Sequence, residues 1–375
     1  MRILLVTTDY PDFQTAFYHR APELATSTYA DQIAAREKSH FGIVGGYAHY
    51  LRQMGHEVGV VIANCEPLQR AWARERGMRF SEAGERHLVM RGGIVPWITE
   101  STTPRWRHDI VMAQVRAFQP DILMNQALVS VPSSLVASLR KHAGLIVGLH
   151  GARIPEGFDV SPYDILFSGH AGLAASFSEL GAKRVEVLPH AFDARVLNDI
   201  AIRRPTIPVT FVGSVGAIWP DRMEWLSALC KRHPVSIFGP ARFATEAGEH
   251  RHVRRAYQCE RWGEDMFQVM RDSRIGLNIH AAFAGPIANN MRLFEITGVG
   301  SLLVTDYKPN LSEWFDMKSE VVPYCSIDDC VDLVGYYLEH EEERAAIAEA
   351  GQRRTLRCHT LEKRIEQFVS IVTSA

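Results

Sequence analysis

The sequence predicts an α/β protein made of two doubly wound domains, and three of its features support that prediction. Short apolar segments alternate with longer helical ones along the whole chain, which is the pattern of βαβ units. The apolar segments have few polar interruptions, as expected of parallel strands that are buried on both faces. They are also too numerous for one sheet of ordinary width, and a chain of 375 residues is long for a single core.

The predicted strands form two groups along the chain. The first half contains ILLVTT, VGVVIA, DILMN, GLIVGLH, DILFS and VEVLP, and the second half contains VTFVGS, VSIFG, IGLNIH and SLLVTD. Between them, Asn198 to Pro208 is a polar, proline-flanked stretch that we interpret as a linker. We therefore expect an N-terminal domain at 1–200, a C-terminal domain at 201–359 and a separate last helix at 360–375.

Two stretches outside the strands have a predicted structure of their own. Near the C-terminus we expect a helix from Glu341 to Arg357 and a second one that the hydroxyl of Thr360 caps. After the first strand we expect a helix from Tyr29 to Lys38. We interpret Asp9 to Ala25 as a loop at the edge where doubly wound sheets bind ligands.

Composition and charge exclude several classes of protein. The formal net charge of -2 indicates no overall attraction to nucleic acid or to anionic membranes. No apolar run approaches the roughly 18 residues of a membrane span, and the N-terminal apolar run is typical of a strand rather than of a signal sequence. The 6 cysteines form no CxxC pair and lie in or beside apolar runs, so we expect free thiols in a reducing cytoplasm.

The segment PIANNMRLFEITGVGSLLVTD carries the strongest candidate site. It follows strand IGLNIH, and a helix is expected to start near Asn289 or Asn290. The free N–H groups of a helix start bind anions, and Arg292 in the first turn can add a charged hydrogen bond to a phosphate. Glu295, one turn further, can accept both hydroxyls of a ribose. The alternative, Arg292 in a salt bridge beside a solvated Glu295, is equally compatible with these residues alone.

A second candidate lies in VTFVGSVGAIWPDRMEWL. The strand ends in 213–216, where Gly213 and Ser214 allow a ligand close to the backbone. Asp221 is expected to cap the helix after Pro220, and Arg222 would be a second phosphate partner. The segment has neither a Walker A loop nor a GxGxxG fingerprint, and a plain tight turn is the alternative.

The first half offers one glycine pair and one histidine. Gly45 and Gly46, in GIVGGYAHYL, would bring backbone N–H groups to a ligand, although close packing of a helix also calls for glycine. His150 ends a buried strand and is the best single candidate for an acid–base contact. His190 and His280, which also end strands, are candidates to line the same site or to cap loops.

Metal and serine-nucleophile chemistries have no support in the sequence. There is no HExxH, no carboxylate pair at a strand end and no GxSxG elbow. We therefore expect neither a metal nor any other cofactor.

Two segments of the second half resemble the spore-maturation CgeB-like glycosyltransferases. They are NNMRLFEITGVGSLLVTDYKPNLSEWF and YYLEHEEERAAIAEAGQRRTLRCHTLEKRIEQFV, and the resemblance covers about residues 208–370. That group is itself similar to glycosyltransferase family 4, which has the GT-B fold. In the first half MRILLV, PDIL, VGLHG and VEVLPHAFD occur in the order that such enzymes show.

The resemblance implies two Rossmann-like domains that face a cleft. A nucleoside diphosphate-sugar donor would lie mainly on the C-terminal domain and the acceptor on the N-terminal one. The last helix, 360–375, would pack back on the first domain. The segment Asp9 to Phe41 would then help to form the acceptor side.

The resemblance also assigns roles to individual residues. Glu295 matches the glutamate that holds the ribose, and Asn290, Met291 and Arg292 match the helix start that faces the diphosphate. His150 matches the strand-end histidine near the transferred sugar. One departure is that Ile287 stands where family 4 has a second acidic residue that contacts the sugar, and this removes the usual argument for a retaining mechanism.

These features together predict a metal-independent glycosyltransferase, a hexosyl- or related transferase. The helix dipole, Arg222 and Arg292 would stabilise the leaving diphosphate. The acceptor, whether glycan, protein or small molecule, stays open, and no nucleic-acid partner or membrane segment is expected. The alternatives are a nucleotide-sugar epimerase of the same fold and a non-catalytic nucleotide-sugar-binding or assembly protein, which Ile287 favours.

Overall fold

The structure of the protein is a computed structural model that describes residues 1–81, 84–91, 95–215, 220–240, 247–248, 250–280 and 285–374. For 84–91, 95–103 and 220 it describes the backbone alone.

The chain forms two compact units that are interleaved in sequence. Unit 1 consists of Met1–Lys38, Ala48–Ser168 and Leu173–Val187, and unit 2 consists of Ser39–Tyr47, Gly169–Gly172 and Leu188–Ala375. The predicted domain limits treat each domain as one continuous segment, and they stay a prediction.

Unit 1 is built on a parallel sheet that contains every strand predicted in the first half of the sequence. Its six strands are β1 (Arg2–Thr7), β2 (Glu57–Ile62), β5 (Ile122–Asn125), β6 (Leu145–His150), β7 (Ile165–Ser168) and β8 (Val185–Val187). They lie in the order β2-β1-β5-β6-β7-β8, with each neighbouring pair parallel. An antiparallel pair, β3 (Gly84–Arg91) and β4 (Val95–Pro104), was not predicted, because charged and polar residues interrupt its apolar pattern.

The helices of the first half follow these strands along the chain. They are α1 (Pro11–Arg20), α2 (Tyr29–Lys38), α3 (Val44–Gln53), α4 (Glu66–Glu75), α5 (Trp106–Phe118), α6 (Ser133–Leu139) and α7 (Ala171–Glu179). Buried apolar side chains of these helices and of the strands form the core of unit 1, with Leu4, Val115, Leu123, Ile146 and Phe177 among its members.

The segment after β1 is helical where a loop was predicted. Helix α1 and a 3-10 turn at Pro22–Thr26 occupy most of the predicted loop from Asp9 to Ala25, whereas the helix predicted from Tyr29 to Lys38 is confirmed. Both new elements begin with a proline, a residue that suits the first position of a helix because its missing N–H would have no partner there. The loop prediction was wrong because only Phe13 of α1 is buried, so that helix has no clear apolar stripe.

Unit 2 is built on a second parallel sheet of six strands. They are β9 (Ile207–Val212), β10 (Val235–Phe238), β11 (Tyr257–Cys259), β12 (Ser273–Asn278), β13 (Leu302–Asp306) and β14 (Val322–Tyr324). The order is β11-β10-β9-β12-β13-β14, and each neighbouring pair is parallel. The two edge strands, β11 and β14, were not predicted, since three residues are too few to show a period.

The described helices of the second half follow these strands along the chain. They are α8 (Pro220–Arg232), α9 (Arg251–Ala256), α10 (Gly263–Arg271), α11 (Met291–Val299), α12 (Leu311–Trp314), α13 (Ile327–Glu339), α14 (Glu341–Cys358) and α15 (Leu361–Thr373). Both helices predicted at the C-terminus are therefore present as α14 and α15. Thr360 occupies the N-cap position of α15, but its side chain makes no capping hydrogen bond.

The early segment Ser39–Tyr47 packs within unit 2. His40 Nε2 lies 2.6 Å from a carboxylate oxygen of Asp199, and the ring of Phe41 meets that of Trp262 edge-on at 5.5 Å. These contacts join residues that are far apart in sequence, so unit 2 is complete only with this segment in place.

A short backbone bridge joins Phe192 to the turn between α14 and α15. Phe192 N–H donates to the His359 carbonyl at 2.9 Å, and Leu361 N–H donates to the Phe192 carbonyl at 2.8 Å. The Phe192 ring is fully buried and lies directly against Gly298 of α11. Gly298 is therefore the residue that lets α11 approach this bridge.

We predict that Gly298→Ala lowers the free energy of unfolding by about 1–3 kcal/mol, the usual cost of overpacking a core. The new Cβ would lie 2.4 Å from the Phe192 ring, which has no room to move. Gly335→Ala, on α13, is the matched control, since its Cβ would meet only the His233 ring edge at 3.1 Å. Chemical denaturation of both variants decides: an equal or smaller loss at Gly298 would show that α11 does not depend on this contact.

Candidate functional site

The strand order of unit 2 places the candidate site. Successive strands run from β9 outward through β10 to β11, and the chain then returns to the other side of β9 to form β12. Parallel sheets bind ligands beyond the carboxyl ends of the strands at such a switch point. Gly213 and Ser214 follow β9 there, and His280 follows β12. Of the predicted GSVG turn, Gly216 lies outside the described residues.

Arg222 of α8 joins the carboxyl ends of these two strands. Its Nη1 donates to the Ser214 carbonyl at 2.9 Å, and its Nη2 and Nε donate to the Ile279 carbonyl at 2.6 and 3.2 Å. Burial lowers the pKa of Arg222 to about 10, with Asp306 acting in the opposite direction, so the side chain stays charged at neutral pH. It thus lies at the predicted place, bound to backbone carbonyls. Asp221 lies within the first turn of α8 rather than before it.

The predicted helix start is confirmed, with Asn290 as N-cap and Met291 as the first residue of α11. Arg292 Nε donates to the Val212 carbonyl, at the end of β9, at 3.0 Å, so this arginine also reaches the switch point. Its Nη1 pairs with the carboxylate oxygen Oε2 of Glu295.

Glu295 is buried, with 3% of its surface exposed, so the alternative of a solvated glutamate is wrong. It lies between Phe294 and Ile296 on the core side of α11, and the charge of Arg292 compensates its burial. The second oxygen, Oε1, has no hydrogen-bond partner among the described residues. The carboxylate is therefore paired on one side and can still accept a hydrogen bond on the other.

A chain of polar side chains runs from the start of α11 across the ends of β12 and β13. Asn290 Nδ2 donates to Asn278 Oδ1 at 2.7 Å, and Asn278 Nδ2 donates to Thr305 Oγ1 at 2.9 Å. The Tyr324 hydroxyl donates to the Asn278 carbonyl at 2.9 Å. Asn290 is therefore engaged with the sheet rather than with the helix N–H groups.

His280 belongs to a charged group that the sequence analysis did not assemble. Its Nδ1 lies 2.6 Å from Asp306 Oδ1, and Lys308 Nζ lies 3.2 Å from Asp306 Oδ2. Burial alone would raise the pKa of Asp306, but the hydrogen bonds of His280 and the charge of Lys308 outweigh it and lower that pKa. His280 Nε2 is buried and has no partner among the described residues. The strand-end position of Asp306, next to His280 in a parallel sheet, was the available signal.

The residues before α11 touch the short segment Gly169–Gly172 of the same unit. A Cβ at Gly169 would lie 2.4 Å from the amide of Asn289, and one at Gly172 would lie 2.7 Å from Ile287 Cδ1. Both polar atoms of the Asn289 side chain are buried and have no partner in the described part of the chain. Asn289, which was considered only as a helix start, is therefore a further candidate ligand group, and Ile287 presents an apolar surface at this place.

His190 lies close to His170 in unit 2. Burial, together with His170, lowers the pKa of His190 to about 4, and burial also lowers the pKa of His170. Both rings are thus neutral at neutral pH and can accept as well as donate a hydrogen bond.

Gly45 and Gly46 lie in the first turn of α3 and are buried. A Cβ at Gly46 would lie 2.2 Å from Leu361 Cδ2 and 2.8 Å from Asp193 Oδ2. Close packing therefore requires glycine at 46, in agreement with the alternative interpretation of this glycine pair. That the backbone N–H groups of this pair contact a ligand stays a prediction.

His150 belongs to unit 1, whereas the other candidate residues belong to unit 2. It ends β6 as predicted, opposite Ser168 of β7, and its ring lies 6.4 Å from that of Phe177. Burial lowers the pKa of the ring, and a hydrogen bond with the backbone of Arg153 opposes that shift in part. The imidazole is therefore neutral at neutral pH, as a general base must be.

Two further findings concern the described residues as a whole. Among them no group of three or more histidine, cysteine or carboxylate side chains is arranged to hold a metal ion. No helix within the described part of the chain is long and apolar enough to cross a membrane.

Comparison with known proteins assigns the fold. A family model described as glycosyl transferase-like matches residues 222–370. No curated protein matches the sequence.

Several solved glycosyltransferases share the architecture over nearly their whole length. A glycosyltransferase from Rickettsia africae ESF-5 has a TM-score of 0.58 and 11% identity, over 98% of this chain and 97% of that one. HepE from Anabaena in complex with UDP-glucose has a TM-score of 0.59 and 11% identity, over 100% and 99%. Sucrose-phosphate synthase from Thermosynechococcus elongatus has a TM-score of 0.57 and 9% identity, over 100% and 99%. The predicted fold is thus confirmed: the chain has the architecture of the GT-B glycosyltransferases, and its second half is glycosyltransferase-like in sequence.

Proposed function

We propose that this protein is a glycosyltransferase that moves a sugar from a nucleoside diphosphate-sugar to an acceptor without a metal ion. The observation that carries the proposal is the start of α11 at the switch point of unit 2, with Arg292 and Glu295 in neighbouring positions on one turn. The glycosyl transferase-like match at 222–370 includes this helix. Because HepE was solved with UDP-glucose, a uridine diphosphate-sugar is the first donor to test.

The diphosphate would bind at the helix start. The N–H groups of the first turn of α11 carry partial positive charge and stabilise an anion. Arg292 Nη2 lies 3.4 Å from the thioether sulfur of Met266, a weak acceptor that a phosphate oxygen would displace. Arg222, which is bonded to the carbonyls of Ser214 and Ile279, adds a second positive charge at the strand ends. These fixed groups would stabilise the charge that develops on the leaving diphosphate.

The ribose would bind to Glu295. Its carboxylate can only accept hydrogen bonds, and a ribose diol offers two donors. One oxygen is held by Arg292, so Oε1 would take the first hydroxyl, and the second would share Oε2.

His150 would be the acid–base residue near the transferred sugar. Support comes from its position at the end of β6, its lowered pKa and its match to the family 4 histidine. A neutral imidazole can take a proton from an acceptor hydroxyl as the new bond forms.

A non-catalytic nucleotide-sugar-binding protein is the second candidate, and Ile287 favours it. Its side chain packs at Gly172, where a family 4 enzyme would have an acid for the sugar. This candidate function predicts that the nucleotide-sugar binds but is not turned over. A turnover assay distinguishes it from sugar transfer.

The proposal is tested by a binding screen followed by a turnover assay. We expect one of UDP, GDP, dTDP and CMP to raise the melting temperature, since a ligand of the native state stabilises it. With the matching nucleotide-sugars, release of the free nucleotide should continue in excess EDTA, because helix N–H groups and arginines carry the charge of the diphosphate. Binding without release would support the second candidate, and activity that is lost in EDTA and restored by magnesium would contradict metal independence.

We predict that Glu295→Gln weakens binding of the cognate nucleotide at least tenfold, as expected for the loss of charged hydrogen bonds worth ~1.5–3 kcal/mol each. The matched control is Glu349→Gln, because Glu349 is an exposed helix glutamate that is also paired with an arginine, Arg353. Glu295→Gln also removes the ion pair of residue 295 with Arg292, which lowers the stability of the variant. The calorimetric titration is therefore done at a temperature at which circular dichroism shows all variants folded. Equal dissociation constants would remove Glu295 from the site.

We predict that His150→Ala lowers kcat by about 10²-fold and changes donor affinity much less, because general acid–base catalysis acts on the transition state. Wild-type kcat should be level at and above neutral pH, where a histidine of lowered pKa is already neutral, and should fall on acidification. His142→Ala, in the 3-10 turn Arg140–His142 of the same unit, is the control. Near-normal kcat in the His150 variant would leave this residue with a structural role.

A further inference from the structure

Unit 1 has a switch point of its own, and a cavity opens beside it. The chain runs from β1 to β2 and returns to the other side of β1 to form β5. A cavity of about 460 Å³ lies beyond the carboxyl ends of these strands, lined by Asp9, Tyr10, Asn64, Arg107, His108 and Ser134 among others. This volume is in the range of small-molecule sites.

The acidic residue of this cavity is neutralised by the protein itself. Arg36 Nε donates to Asp9 Oδ2 at 2.6 Å, and Arg36 Nη2 donates to Oδ1 at 2.5 Å. Both side chains are buried, and Asn64 further fixes the Asp9 backbone by accepting from its N–H at 2.9 Å. The pair carries no net charge, so Asp9 does not make the cavity negative.

Arg107, in contrast, brings a positive charge that no carboxylate in the described part of the chain neutralises. Its Nε is buried without a hydrogen-bond partner, and no carboxylate pairs with it, among the described residues. Its guanidinium lies 5.7 Å from the ring of the adjacent Trp106. The Arg107 side chain belongs to the first turn of α5, a helix of 13 residues, whose N-terminal dipole adds to the positive potential.

The mouth of the cavity also presents an aromatic surface. Tyr10 is 65% exposed, and it lies at the N-cap of α1. A cation inside and an exposed ring outside suit a compact ligand with an anionic group and a ring face.

We propose that this cavity binds the anionic group of the acceptor, a phosphate ester or a carboxylate, and that Arg107 is the residue that recognises it. The inference rests on the proposed glycosyltransferase function and names its acceptor class. Because Arg107 is only partly buried and lines the cavity, an oxyanion there can accept charged hydrogen bonds from its guanidinium and supply the missing negative charge.

The test measures binding of defined probes to the full chain by calorimetry. Glucose 6-phosphate, glucuronate and methyl glucoside are titrated with and without saturating UDP, which keeps the phosphate from the donor site. We expect an anionic probe to bind, methyl glucoside to bind at least ~10-fold more weakly, and the affinity for the anion to fall with added salt. The better of the two anionic probes tells a phosphate ester from a carboxylate.

The variants assign the binding to Arg107. Arg107→Gln should weaken binding of the anion at least ~10-fold, the scale of a lost charged hydrogen bond. Arg116→Gln, on the exposed end of the same helix, should bind like wild type. Unchanged affinity in Arg107→Gln, equal binding of methyl glucoside, or no binding of either anion at about 10 mM would each overturn the proposal.

The outcome is distinguishable from failure of the proposed function. Anion binding that depends on Arg107, in a protein that binds no nucleotide, would keep the cavity as an anion site and remove the glycosyltransferase proposal. Nucleotide binding and sugar transfer without any anion binding would keep the function and remove the anionic acceptor.

Discussion

The hydrogen bonds of Arg222 to two backbone carbonyls are the interaction on which the candidate site of unit 2 depends. A buried guanidinium must find acceptors for its N–H groups, and a parallel sheet has unpaired carbonyls at its carboxyl ends. By taking the carbonyls of Ser214 and Ile279, Arg222 fixes the separation of two strand ends that no strand-to-strand hydrogen bond reaches. Arg292 of α11 bonds to the Val212 carbonyl at the same switch point.

Several carboxylates of this protein that are largely removed from solvent are compensated by neighbouring groups. Arg36 neutralises Asp9, and His280 and Lys308 surround Asp306. In such groups the positive and negative charges compensate each other. The electrostatic potential that a ligand meets then comes mainly from charged side chains that have no partner. An arginine without a carboxylate partner is therefore a better indication of an anionic ligand than an arginine within an ion pair.

Much of the fold could be predicted from the sequence, because buried parallel strands leave continuous apolar runs such as ILLVTT and SLLVTD. The start of α11 was also predictable, since Asn290, a residue type that suits the N-cap, precedes the helical segment. The short edge strands and α1 were not, as they bury too little to leave a period. The burial of Glu295 and the grouping of His280 with Asp306 depend on which strands become neighbours, and the sequence pattern does not show that order.

The interleaving of the two units has a consequence for how the chain is made. Ser39–Tyr47 leaves the ribosome early, yet its partners, such as Asp199 and Trp262, follow more than a hundred residues later. During synthesis this segment is therefore present before the residues that it contacts in the folded unit. The core of unit 2 is therefore expected to form only after these later partners have been synthesised, because loop closure is fast compared with translation.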